Sequence, residues 1–468
     1  TGLPLIYLGV PLWRALGPLG LLIPAALGAL AAAWAGGRLA RNLGASTGAL
    51  AVLATGLATP LLFYAADFWE HAPAVGCLLA ALALLTHPTP TATRAVAGGG
   101  LLGLAAVLRT EELLYIAAIG VAVLAVAPAR RWASGRRAAL AAGAAASGAV
   151  FAANLVVQRR VIGTALQGVR AGSQATEVGS GLGQRSRDSL LTFFGLFQGS
   201  DNLAILLGVV CVGGLVALAL GVRQRSGAAL RWGTALTVAS YVMRVVSGTQ
   251  FIPGTIPASP MAPLGAVDGM RPGPGGQGGA GALGRPLVLG SLAAAPLVWA
   301  LSWRGDLVAQ WGGRYTITTG ILLTIVAAAA LERRPPPRGA AVVVLLGAVI
   351  TVSMLGAIWH VQRARSVDSA MAAVNRVDPD VVIVTAIPHL GREAGTRYRD
   401  RRWLRLDEAS QTPALAKVLL SSGVQAIDLM ELDSTDAAPP VPGYVASTVR
   451  HVDYLGFDLR LTRYQRSS

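Results

Sequence analysis

The chain has 468 residues, 53% of them hydrophobic and 13% charged, about half the charged fraction of an ordinary soluble domain, so a soluble globular protein is excluded. The net charge of +16 does not mark a nucleic-acid binder, because the basic residues are not gathered on a solvated face: residues 14–338 hold 25 Arg against 10 acids, whereas residues 363–468 hold 14 basic against 13 acidic residues. The excess lies in the apolar part, where it occupies short loops and helix ends and reports topology; no nucleic-acid partner is expected.

The sequence opens at Thr1, without methionine, on a loop-like segment, TGLPLIYLGVPLW, and we expect a start further upstream. Spans of roughly 20 apolar residues are needed to cross a bilayer core of about 30 Å. Windows that read as spans or parts of spans are 18–37, 44–65, 72–86, 95–108 with 112–128, 138–157, 203–222, 228–247, 286–302, 316–331 and 340–360. The stretch 95–128 is too long for one span and is broken by Arg109, Glu111 and Glu112, so it reads as two helices meeting at a polar turn. Cys77 and Cys211 fall inside apolar runs and read as small buried hydrophobes.

Arginine placement orients the spans, since short cytoplasmic loops retain positive charge. Arg38, Arg41, Arg94, the run from Arg130 to Arg137, Arg223, Arg225, Arg333, Arg334 and Arg338 mark the cytoplasmic side. Keeping the last three inside requires the proline-rich segment 251–269 to cross as a broken helix, packed in protein where irregular backbone is tolerated. RPGPGGQGGAGALGR, ending at Arg285, lacks a Gly-Lys-Ser/Thr ending and reads as a linker rather than a phosphate loop. The expected fold is mostly α: a polytopic transmembrane bundle of about twelve spans over residues 1–362, some short or broken. Residues 363–468 form a small extracytoplasmic α/β domain, with strands at 381–385 and 425–432, a helix at 413–424, and a strand pair around Leu455 and Gly456.

Ionisable residues at membrane depth are costly and mark function, so the few acids near the spans carry most of the information. Asp67, Glu70 and His71 in FYAADFWEHAP are spaced to share a helical face, and a carboxylate beside an imidazole suits general-base work; an interfacial polar cap is the plain alternative. Arg109-Thr110-Glu111-Glu112 reads either as an internal ion pair capping two helices or as a guanidinium that holds an anionic group. Arg314, in QWGGRYTITTG with Trp311 and Tyr315, stands at a helix entrance, where an aromatic belt with a snorkelling arginine is the plain reading. No His or Cys spacing resembles a metal site, no cofactor motif occurs, and a divalent metal stays open.

Three passages together resemble the GT-C class of polytopic glycosyltransferases, in particular the bacterial branch related to protein mannosyltransferases and aminoarabinose transferases, family 39 in type. They are FWEHAPAVGCLLAALALL, GGGLLGLAAVLRTEELLYIAAI and WGGRYTITTGILLTI, the last being the most specific. The resemblance implies transfer of a sugar from a polyprenyl-phosphate donor to a glycan, lipid or protein acceptor at the outer face of a bacterial cytoplasmic membrane. It also implies that the principal catalytic acid lies in a first external loop, which would precede Thr1 together with the first span. Glu70, His71 and Asp67 are then the assisting catalytic residues, and Arg109 and Arg314 hold the lipid phosphate, supported by Glu111, Glu112, Trp311 and Tyr315. Two rivals remain: a transporter or lipid flippase, and an inactive membrane scaffold whose external domain binds a partner.

Overall fold

A computed structural model describes residues 3–66, 69–163, 193–194, 202–247, 252, 254–270, 280–301, 316–333, 339–378, 381–385, 402–406, 411–432, 440–454 and 457–467. The chain divides into two compact units, Thr1–Ala357 and Ile358–Ser468.

The first unit is helical. In chain order it contains α1 (Leu3–Leu16), α2 (Ile23–Asn42), α3 (Ala49–Leu57), α4 (Leu61–Tyr64), α5 (His71–Leu85), α6 (Ala92–Leu108), α7 (Glu111–Ala125), α8 (Ala127–Ser134) and α9 (Arg137–Ile162). It continues with α10 (Asn202–Gln224), α11 (Gly227–Val246), α12 (Ala262–Gly269), α13 (Gly284–Leu301), α14 (Ile317–Arg333) and α15 (Gly339–Asn375), the last running on into the second unit. Among the described residues four helices are long and apolar enough to cross a membrane: Leu19–Asn42, Arg137–Ile162, Ile205–Gln224 and Val342–Asn375. A fifth results if α7 and α8, bent by 100°, are taken as one span.

Two expectations are corrected. From Leu3 onward the opening segment is helical rather than loop-like: Pro4 sits in the first turn, where its missing N–H removes no helix bond, and the apolar residues that follow favour a helix despite Pro11. The window 44–65 is not one helix but two short ones, α3 and α4. Pro60 has no N–H to continue the ladder, and the Thr59 hydroxyl donates to the Thr55 carbonyl at 2.8 Å, ending the first helix.

Packing follows small residues. α2 lies on α5, α5 on α6, and α6 on α9. α6 and α9 approach so closely that a Cβ on Gly99 would run into the Gly143 carbonyl. The same holds where α12 meets α14: a Cβ on Gly265 would strike the Leu323 carbonyl. α14 is the central post, buried on every side from Ile317 to Ala330, as expected of a helix apolar all round. Residues 254–261 form an irregular, fully buried run leading into α12.

The far end of α14 is clamped. Glu332, just past the apolar stretch, accepts backbone N–H bonds from Thr47 (2.9 Å), Gly48 (2.9 Å) and Leu50 (2.9 Å) and hydroxyl bonds from Ser46 and Thr47, so its carboxylate covers the start of α3. Arg333 donates to the Leu43 carbonyl and pairs with Asp268.

The second unit is a five-stranded sheet in the order β2-β1-β3-β5-β4, built from β1 (Val382–Thr385), β2 (Arg402–Arg405), β3 (Ala426–Leu432), β4 (Tyr444–Tyr454) and β5 (Phe457–Arg466), with α16 (Thr412–Ser421). β1 runs parallel to β2 and β3, and the β3–β5 and β5–β4 pairs are antiparallel. Alternation along the strands feeds two cores: Ile383, Met430, Leu459 and Leu461 pack with Ala370 and Val374 of α15, while Val382, Val384, Ile427 and Leu429 pack with Ala416 and Leu419 of α16. Asp428 and Arg463, cross-strand neighbours, form an ion pair.

Burial opposes ionisation of Glu332, but the Thr47, Gly48 and Leu50 N–H groups outweigh it and hold the carboxyl at about 2, below the ordinary 4.5. A depressed carboxyl stabilises the fold above its unfolded pKa and loses that contribution as pH falls towards the folded value. Glu332→Gln is therefore expected to lower the unfolding temperature of detergent-solubilised protein at pH 7, at a cost of about 1–3 kcal/mol. The difference from the parent chain should shrink as pH drops from 4.5 towards 2.

Candidate functional site

The polar turn between α6 and α7 holds two deeply buried charges, Arg109 and Glu112. Arg109 is the helix-ending residue of α6, in an extended conformation (φ −145°, ψ 115°), and Glu111 and Glu112 open α7, where carboxylates oppose the partial positive charge of a helix start. The extended residue turns the Arg109 side chain back into the bundle, where it is 2% exposed. Its Nε lies 3.4 Å from Glu111 Oε2 and its Nη1 3.8 Å from Glu112 Oε1.

Glu112 has no exposed surface. Its Oε1 accepts a hydrogen bond from Thr318 Oγ1 at 2.8 Å, across 206 positions of sequence. Its Oε2 is buried and has no hydrogen-bond partner among the described residues. One turn along α7, Tyr115 Oη lies 2.8 Å from Thr319 Oγ1, which donates to the Ser291 carbonyl of α13 at 3.0 Å. The entrance of α14 thus ties α7 and α13 together through consecutive threonines. Thr316 in turn bonds Thr255 of the buried irregular run, and Gly320 faces Ser259 of the same run.

The third group arrives with α5, which packs against α6 and α7. Glu70 is the residue before the helix and is close enough to Arg109 to act on it electrostatically. His71 begins α5, is 1% exposed, and is held in an aromatic stack, 5.0 Å from the Tyr64 ring and 5.3 Å from the Trp69 ring. Glu70 is the N-cap of α5, with helical dihedrals, and its carbonyl accepts the first helical bond from the Ala74 N–H at 2.9 Å. Asp67, Trp311, Arg314 and Tyr315 lie outside the described residues. Among the described residues no three His, Cys, Asp or Glu side chains group closely enough to hold a metal ion.

The threonine row Thr316, Thr318 and Thr319 and the partners Tyr115 and Ser291 were not singled out from sequence. A signal was present: hydroxyl residues at successive positions in an otherwise apolar helix start are conspicuous once that helix is known to be buried on all sides.

No family model and no curated protein matches the chain. Among solved structures, the crystal structure of ArnT from Cupriavidus metallidurans bound to undecaprenyl phosphate aligns over 98% of this chain and 87% of that one, at 12% sequence identity and a TM-score of 0.38. No site residue is carried across at that level of similarity.

Removing one partner of a buried ion pair leaves the other charge uncompensated, at about 3–5 kcal/mol. Arg109→Gln should accordingly destabilise the solubilised protein strongly, and adding Glu112→Gln should recover a large part of the loss. Thermal unfolding of the two single variants and the double variant measures this coupling; simple additivity would show that Arg109 and Glu112 do not depend on each other.

Proposed function

We propose that this protein is a membrane glycosyltransferase that moves a sugar from a polyprenyl-phosphate donor to an acceptor hydroxyl at the outer face of the membrane. The supporting observation is convergence. The three passages that carry the resemblance to the GT-C class contribute Glu70, the Arg109–Glu112 turn and the Thr318–Thr319 pair, and these meet at one end of the helical unit.

In this reading a carboxylate takes the proton from the acceptor oxygen as it attacks the anomeric carbon, and the carbon–oxygen bond to the lipid phosphate breaks. Positive charge must then meet the departing phosphate, where negative charge develops. Asp67, Glu70 and His71 assist near the acceptor or the donor; Arg109 and Arg314 serve the phosphate. Glu111 and Glu112 set the orientation of Arg109, with Trp311 and Tyr315 flanking Arg314. The Arg109 group is rich in acid: one guanidinium pairs with Glu111 and Glu112, and Glu70 acts on it electrostatically. A phosphate dianion approaching it needs further positive charge.

The test is a transfer assay with radiolabelled polyprenyl-phosphate sugar in native membranes carrying the full-length protein. Glu70→Gln, Arg109→Ala and Arg314→Ala are each expected to lower turnover by about a hundredfold or more. Unchanged turnover in all three variants would overturn the assignment. Movement of labelled lipid between leaflets without a new glycosidic bond would favour a flippase instead.

A further inference from the structure

One corner of the helical unit, at the far end of α6 from Arg109, carries positive charge and no carboxylate. Helix α8 bends by 100° from α7 and so runs across the direction of that apolar helix. Its sequence, APARRWAS, buries Ala129, Trp132 and Ala133 and leaves Arg130 and Arg131 exposed. A short crosswise helix, apolar on its buried side and basic on its open side, has the form of one that rests at a membrane surface.

Two neighbouring segments extend the basic side. Arg136, just past α8, stacks over the Trp132 ring at 4.7 Å, and its Nη2 donates to the Pro88 carbonyl at 2.9 Å, joining α8 to the connection between α5 and α6. Arg94, in the first turn of α6, donates to the Thr89 carbonyl and hydroxyl, each at 2.7 Å, and lies 3.0 Å from His87 Nδ1. Carbonyls, a hydroxyl and rings thus orient Arg94 and Arg136 without cancelling their charge. Helix α8 also packs against the single turn Ala280–Leu283, two residues before the exposed Arg285. The three segments, residues 86–94, 127–137 and 280–285, hold six arginines and not one Asp or Glu.

Helix α9 fixes the depth of this corner. It is of membrane-spanning length, and 11% of its apolar window is buried inside the protein, so lipid covers most of it. It begins at Arg137, with Arg136 as its N-cap and no side-chain hydrogen bond closing the helix start. The corner therefore stands where hydrocarbon ends and headgroups begin. Both arginines add to the partial positive charge of the helix start instead of opposing it, a cost that an anion at this place offsets.

We propose that this corner binds an anionic phospholipid of the surrounding bilayer, with its headgroup phosphate among Arg130, Arg131 and Arg137 and its acyl chains along the lipid-exposed flank of α9. Charge complementarity selects a headgroup of net negative charge, and the bare flank of α9 selects a lipid over a soluble anion. The site does not depend on any sugar being transferred: the length of α6 separates it from the Arg109–Glu112 turn.

The test is native mass spectrometry of the detergent-solubilised full-length protein with dioleoylphosphatidylglycerol or dioleoylphosphatidylcholine added at equal concentration. Phosphatidylglycerol should be retained about tenfold better. Arg130→Gln, Arg131→Gln and Arg137→Gln together should remove most of that preference, whereas Lys at the same three positions should keep it. All three side chains are exposed, so neither variant disturbs the packing. Arg159→Gln, Arg160→Gln and Arg231→Gln, at exposed positions elsewhere, take away the same charge and should leave the preference unchanged. Equal retention of the two lipids or an equal loss in the two Gln variants would overturn the site, the second because the response would then follow net charge alone. Displacement of the lipid by millimolar inorganic phosphate would overturn it too, since the occupant would be a soluble anion.

Discussion

A carboxylate with no exposed surface governs the layout of the helical unit. Glu112 lies among apolar helices, where an unpaired charge is so costly that the fold must bring it a cation and hydrogen-bond donors. The cation is local: Arg109, three residues earlier, is turned inward by its extended backbone. The donor is remote, and Thr318 has to be delivered by a helix that is itself sealed from solvent and lipid along nearly its whole length. Helix α14 is thus positioned by polar contacts at its entrance as much as by apolar packing. Its neighbours inherit that position, α13 through Ser291 and the buried run before α12 through Thr255.

The opposite end of α14 explains how such contacts stay in register. Seventeen helical residues span about 25 Å, and a small slide would carry Thr318 and Thr319 away from Glu112 and Tyr115. Glu332 prevents the slide by accepting bonds from successive N–H groups at the start of α3, and Arg333 by reaching both Leu43 and Asp268. The two polar ends differ in kind. At the Glu332 end the carboxylate is partly exposed and surrounded by donors, as a structural anchor requires. At the Glu112 end the carboxylate is fully buried, and one of its oxygens is left without a hydrogen bond among the described residues.

Much of this was legible in the sequence where the physics is local. Apolar windows located most helices, the break at Arg109–Glu112 separated α6 from α7, strands were placed at β1 and β3, and alternation located the pair β4 and β5. Non-local features were not legible. Strand β2, RWLR, is a short edge strand bearing arginines and has no apolar run to announce it. The split of 44–65 depended on one proline and one threonine whose effect is conformational rather than compositional. At the site, Arg109, Glu111 and Glu112 stand out because charge in an apolar sequence is conspicuous. Thr318, Thr319, Tyr115 and Ser291 do not, because their importance comes from which helices meet.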